Sequence, residues 1–165
     1  MKRLALLLVL ALIAVPAAAS NWGGIDPGVT TVDQVRERYG QPSKETRPKI
    51  EGYDTLQWVY EGDQAPPGIA RMTVDFGLLV AGGYKPNLVR LFTLEPKPWM
   101  FGKNTVIQGW GVPDAIADNK DGTSTLIWKE GLLVHFDKEG KDSLSMIFSV
   151  PQPLEPSAPP AAPKR

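Results

Sequence analysis

The sequence predicts an α+β protein built as a tandem repeat, in which each unit lays a short helix over a four-stranded antiparallel meander. Three observations predict it. Short motifs recur in the same order in both halves of the chain. A capping signature near residue 31 opens an apolar stripe of helical period. Runs of alternating apolar and polar residues, separated by glycine-containing turns, follow in each half.

The recurrence is specific. Thr31-Val32-Asp33-Gln34 with Gly40-Gln41-Pro42 matches Thr105-Val106-Ile107-Gln108 with Gly111-Val112-Pro113. Thr55-Leu56-Gln57-Trp58 matches Thr125-Leu126-Ile127-Trp128, Val74-Asp75-Phe76 matches Val134-His135-Phe136, and Arg90-Leu91-Phe92 matches Met146-Ile147-Phe148. The offset between partners shrinks along the chain, and the deletions fall within a helix and at the Gly/Pro-rich stretches 61–68 and 77–87, which read as loops. The first unit spans 20–96 and the second, shortened unit 97–150.

In the first unit Thr31 and Gln34 form a capping box, and Val32, Val35 and Tyr39 give a helix over 31–39 one apolar stripe. Gly40 ends it and Pro42 forbids its continuation. Strands follow at 43–50, 53–60, 69–76 and 88–94. Leu56, Trp58 and Tyr60 share one strand face, as do Met72, Val74 and Phe76, so these pack beneath the helix. The second helix, over 104–110, carries Gly109 and is expected to be weaker and shorter by a turn. Its strands fall at 114–120, 123–129, 132–137 and 142–150, with Asp121-Gly122 suited to a two-residue hairpin turn. Pro96, Pro98 and Trp99-Met100-Phe101 between the units read as an apolar plug that fills core. Two half-covered sheets of this size would gain stability by joining edge to edge or face to face.

The ends carry other signals. Residues 1–19 combine Lys2 and Arg3, an apolar run from Leu4 to Val15, and Ala17-Ala18-Ala19. That is the pattern of a cleavable signal peptide, with cleavage expected after Ala19, and it implies a periplasmic or secreted protein. Residues 151–165 are rich in proline, which removes backbone donors and fixes φ, so a disordered spacer is expected there.

Composition narrows the chemistry. The chain has no cysteine and a single histidine, with 18 Lys+Arg against 18 Asp+Glu. No disulfide, thiolate nucleophile or multi-histidine metal site can be assembled from that set. A net charge of zero offers no electrostatic footprint for nucleic acid. Neither G-x-S-x-G nor H-E-x-x-H occurs. Gly102-Lys103-Asn104-Thr105 lacks the leading glycine and the Ser/Thr of a phosphate loop, and Asp118 to Gly122 fails as a calcium loop at both ends. Asp33 and Glu37, one turn apart, read as a solvated helix face. No catalytic residue, metal or cofactor is therefore expected. What remains is the sheet face left open by the helices, with Gln57, Arg71, Thr73, Asp75, Ile127, Lys129 and His135 as candidate binding residues for a protein partner.

Thr31-x-x-Gln34-Val35, then Gly40-x-Pro42, Trp58-x-Tyr60 and a strand ending in Phe76 together resemble the SmpA/OmlA (BamE-like) family over residues 28–95. The doubled helix-plus-strands unit is similar to the two-repeat β-lactamase inhibitor proteins. The first resemblance implies a non-catalytic interaction or scaffold module of the bacterial cell envelope, with an envelope or secreted protein as partner and peripheral association with the outer membrane. The second implies an alternative, a proteinaceous inhibitor of a secreted or periplasmic enzyme. Members of the first family are usually lipoproteins; without a cysteine no lipid anchor is expected here. The disulfides typical of the inhibitors are absent too.

Overall fold

Trp22 and Ile25 form a short bridge, and the chain then enters a helix whose start and end are written in its side chains. In the computed structural model, which describes residues 21–151, α1 spans Val32–Tyr39. The Thr31 hydroxyl accepts the Gln34 N–H, and the Gln34 side chain accepts the Thr31 N–H at 2.9 Å, closing the capping box. Gly40 stands at φ 75°, ψ −156°, a backbone region open essentially to glycine alone, and donates its N–H to Arg36. The second helix, α2, spans Lys103–Trp110 and ends at Gly111 in nearly the same conformation, φ 81° and ψ −171°. It has eight residues, as α1 does, so the expected loss of a turn does not occur. The signal-like residues 1–19 and the proline-rich segment beyond Pro151 lie outside the described residues.

The strands are β1 (Lys44–Thr46), β2 (Lys49–Ile50), β3 (Tyr53–Asp54), β4 (Leu56–Glu61), β5 (Ile69–Val80), β6 (Gly83–Pro96), β7 (Ala115–Asp118), β8 (Ser124–Trp128), β9 (Leu132–Phe136) and β10 (Ser143–Ser149). Eight of them form one antiparallel sheet in the order β1-β4-β5-β6-β10-β9-β8-β7, and β2 and β3 pair separately.

This corrects the expected fold class. The protein is mostly β, with two helices among the described residues packed on a single undivided sheet, not a tandem pair of helix-plus-four-strand units. The seam explains why. Leu91–Leu94 of β6 pair with Met146–Ser149 of β10, and Phe92 stacks on the facing Phe148 at 4.6 Å with an interplanar angle of 3°. Trp110 of α2 lies 5.9 Å from the Phe148 ring. Two separate sheets would leave the N–H and C=O groups of both strands, and both rings, in water; pairing satisfies the first and buries the second.

Even-numbered positions of β4 to β10 face the helices, except beyond the β5–β6 register shifts, which bring the odd-numbered Ile69 and Val89 to the same side. Trp58, Tyr60, Met72, Val74, Phe76, Phe92, Leu94, Leu126, Trp128, Leu132, Val134, Phe136, Met146 and Phe148 are buried in one cluster with Val35 of α1 and Val106 of α2. At about 1.5–3 kcal/mol for each large apolar side chain removed from water, this layer is the main source of stability. The indole N–H groups are satisfied beneath the helices: Trp58 donates to the Glu45 carboxylate at 2.9 Å, and Trp128 to the Gly111 carbonyl at 3.3 Å.

Three further expectations change. The stretch 77–87, read as a loop, is strand over most of its length, because Leu78, Leu79 and Val80 pair with Lys85, Tyr84 and Gly83. The turn at Asp121-Gly122 is longer than two residues: the Asn119 N–H reaches the Thr123 carbonyl, while the Asp121 carboxylate takes the Thr123 N–H and hydroxyl. Trp99 and Met100 do not fill core. Trp99 is 83% exposed at φ 71°, its N–H held by the Asp142 carboxylate at 2.7 Å, and only Phe101 tucks partly against the cluster.

Candidate interaction surface

Because side chains alternate across a strand, the odd-numbered positions of the central strands, and on β1 the even-numbered ones, form the face turned away from the helices. The register lays one row across all eight strands: Lys44, Val59, Thr73, Thr93, Ile147, Leu133, Ile127 and Ala115. Seven steps at about 4.8 Å make this row about 34 Å long. Its members other than Lys44 are half-buried. Between its charged and small ends the row is therefore apolar or threonine, without an ionisable group.

Polar groups flank the row. On β4–β6, Glu61, Arg71 and Glu95 stand side by side, and Arg71 reaches the two carboxylates at 3.0 and 3.7 Å. On the other side of the row Gln57 faces Asp75, donating from Nε2 to Oδ1 at 2.9 Å, and Arg90 approaches the same oxygen at 3.5 Å. Asp75 is only 9% exposed, so this carboxylate depends on those donors. Tyr84 lies across Gly77, where a Cβ would overlap its hydroxyl, and donates to the Asp54 carbonyl at 2.6 Å. A groove lined by Lys44, Gln57, Val59, Glu61, Arg71, Thr73 and Glu95 runs over this half of the face.

The β7–β9 half carries a network of amide, hydroxyl and imidazole groups. Asn119 Nδ2 donates to the Thr123 and Thr125 hydroxyls at 2.9 and 3.3 Å. Thr125 Oγ1 and Asn119 Nδ2 both lie within reach of His135 Nδ1, at 3.1 and 3.5 Å. The Thr123 hydroxyl, ahead of the Thr123 N–H, holds the Asp121 carboxyl below its usual range. The Lys129 N–H does the same for Asp114.

The seven residues singled out from sequence thus fall into separate places. Gln57, Arg71, Thr73 and Asp75 come together on β4–β5. Ile127 shares the row with Thr73 but stands four strands away, about 19 Å. His135 sits in the adjoining row opposite Thr125. Lys129 lies just past β8 and is tied to Asp114 through both its N–H and its ammonium, apart from the others. The sequence reading missed Val59, Thr93, Ile147 and Leu133, which fill the middle of the row. Their signal is that Leu132-Leu133-Val134 and Met146-Ile147-Phe148 are apolar on both strand faces, where a strand with one solvated face would alternate.

Among the described residues no group of three or more His, Asp or Glu is placed to hold a metal ion, and no helix is long and apolar enough to cross a membrane. Compared with known protein families, curated proteins and solved structures, the chain matches none.

Proposed function

We propose that the protein is a non-catalytic docking module of the bacterial cell envelope, exported by its N-terminal leader, and that it receives a protein partner on the open face of its sheet. One observation carries the reading: the half-buried row from Val59 to Ala115 is apolar at its centre and bordered by fixed polar groups, the anatomy of an interface with a dry middle and a wet rim. The rim is organised before any partner arrives, because the Gln57–Asp75–Arg90 and Asn119–Thr125–His135 hydrogen bonds and ion pairs lie within the sheet itself. Side chains already held in place lose less entropy on binding. The envelope setting rests on the leader signature of residues 1–19 and the SmpA/OmlA resemblance.

The test is capture from envelope extracts with the full chain and with Leu133→Asp and Ile127→Asp variants. The wild-type chain is expected to enrich a defined envelope protein that the variants, folded by circular dichroism, lose. Equal enrichment by wild type and variants, or none by either, overturns the reading.

A further inference from the structure

Arg90 carries an unmet donor at one end of the open face. Asp75 pairs with Leu91 and Phe76 with Val89, so Arg90 is the extra residue of a bulge, a device that re-aims a side chain. Its side chain is 32% exposed, and its ion pair with Asp75 is long, at 3.5 Å. Its Nε is buried and has no hydrogen-bond partner. A buried donor in this state is costly, and an acceptor brought to the guanidinium relieves it.

Beside Arg90 lies a cavity of about 120 Å³ whose walls include Tyr53, Thr55, Gly77, Leu79 and Tyr84. The Tyr53 and Tyr84 rings stack with centroids 4.6 Å apart, and Gly77 leaves the room that the Tyr84 ring occupies. Tyr53 is 39% exposed and Leu79 53%, so this aromatic and apolar wall opens to solvent. The Tyr84 and Thr55 hydroxyls already donate to the Asp54 and Pro48 carbonyls, which leaves the guanidinium as the cationic donor of the cavity. The exposed Glu51 also lines it and disfavours a second carboxylate. The site therefore calls for a neutral acceptor beside an apolar ring.

We infer that this cavity binds a proline-rich segment, and that its occupant is residues 152–165 of the same chain. A prolyl peptide has the required chemistry: it offers a carbonyl, lacks an N–H and packs its ring on aromatic walls. Residues 152–165 include Pro153, Pro156, Pro159, Pro160 and Pro163, with Leu154 as the one large apolar side chain. The chain enters this segment next to the cavity. Ser149 pairs with Leu91, and Val150 lies with Leu78 beside Gly28. Leu78 stands between the lining residues Gly77 and Leu79. The cavity lies over β5 and β6, so about two strand spacings, or about 10 Å, separate it from β10. The steps from Pro151 to Pro156 cover about 15 Å in polyproline geometry. A tether this short holds its ligand at millimolar effective concentration, enough to fill a small site that a free peptide occupies weakly. That favours the chain's own segment over a proline-rich stretch of another protein. The inference does not depend on a partner at the open face.

Photo-crosslinking of the full chain at about 1 µM, far below the effective concentration of the tether, tests it. Ser157 is replaced by benzoylphenylalanine and the products are mapped by mass spectrometry. Crosslinks are expected on the peptides that carry Tyr53, Leu79 or Tyr84. Arg90→Leu removes the donor and Tyr53→Ala half of the aromatic wall, and each is expected to lower that yield about tenfold. Tyr53 lies at the surface, so Tyr53→Ala should melt as wild type and stays informative if Arg90→Leu unfolds. Pro153→Ser with Pro156→Ser should lower the yield as well. Glu155→Gln should leave it unchanged, because the recognised group is a neutral carbonyl. Crosslinks scattered over the surface, or undiminished in Tyr53→Ala and in the double proline variant, overturn the inference. So do products of twice the chain mass, which put the segment on a second copy, and a loss in Glu155→Gln, which makes the ligand a carboxylate. Envelope capture is a separate measurement, so failure of the docking role would leave this yield unchanged.

Discussion

Gly131→Ala should be among the most damaging single-methyl changes in this protein. Gly131 turns the chain from β8 to β9 at φ 107°, and its carbonyl accepts both the Ser149 N–H at 2.8 Å and the Ser149 hydroxyl at 3.3 Å. A Cβ there would overlap the Ser149 carbonyl oxygen and stand 2.9 Å from its carbon and 3.0 Å from the Val150 oxygen. These are backbone atoms at the end of β10, where Phe148 pairs with Leu132 and both are fully buried. The strand cannot yield without moving the core. The positive φ costs about 1–3 kcal/mol and each strained hydrogen bond about 1 kcal/mol, giving about 3–5 kcal/mol in total. Gly140→Ala is the matched control: φ is 65°, nothing lies within 4 Å, and the cost is that of the backbone alone, about 1 kcal/mol. Urea unfolding followed by circular dichroism, with a slope of about 2 kcal/mol/M, should place the Gly131→Ala midpoint about 1.5–2.5 M below wild type and the Gly140→Ala midpoint about 0.5 M below. Equal midpoints for the two variants would refute the claim that β10 cannot move.

Other outcomes follow from the same geometry. Trp99 keeps a Cβ at φ 71° with its ring in solvent, so Trp99→Gly should exceed Trp99→Ala in stability by about 1 kcal/mol in thermal unfolding; equality would mean the turn is unstrained. Gly40→Val and Gly111→Val should each cost about 1–3 kcal/mol although no atom lies within 4 Å of either Cβ, and wild-type melting for both would refute the proposed helix ends. Burial pushes the Tyr60 hydroxyl from 10.0 up to about 12, so its contribution is complete below pH 10 and is lost between pH 10 and 12 as the unfolded state ionises first. Stability should fall across that window by up to about 2 kcal/mol after allowance for solvent near the hydroxyl, and Tyr60→Phe should flatten the profile. Glu45 is held below its usual range first by the Trp58 indole N–H and then by Arg47, so its stabilisation is present above the ordinary carboxylate pKa and is lost as pH falls through the lowered value. Trp58→Phe should therefore reduce the dependence of stability on acid pH, as read by urea midpoints between pH 5 and 2.

Local chemistry was legible because it acts over a few residues. Thr31 and Gln34 placed the start of α1, and the alternation of Trp58 with Tyr60 and of Val74 with Phe76 identified the face beneath the helices. The joining of the sheet was not legible, since whether β6 pairs with β10 depends on Phe92 meeting Phe148 across more than fifty residues of chain, a contact that no short pattern encodes. Trp99 failed for a different reason: its apolar ring argued for burial, but a turn at φ 71° held by Asp142 aims it into solvent. The open face was half legible. Gln57 and Asp75 were found as polar residues on alternating strands, whereas Ile147 and Leu133 were passed over, because hydrophobicity alone does not tell which face of a strand a residue occupies.

That last error bears on function. An antiparallel sheet needs one dry face, and here the helices and the even positions provide it. Apolar side chains on the opposite face add nothing to that core, and water would accept serine or lysine at Leu133, Ile147 and Ile127 equally well. Thr93 and Thr73 continue the line without charge, and the ionised groups beside it are partnered: Asp75 by Gln57 and Arg90, and Glu61 and Glu95 by Arg71. A surface whose charges are neutralised among themselves while its centre stays apolar has a low cost of desolvation, the term that most often cancels the gain from buried area at a protein interface. Placing one unpaired charge in the row, as in Leu133→Asp, should therefore abolish docking with little change in stability, a separation that a purely structural role for Leu133 would not give.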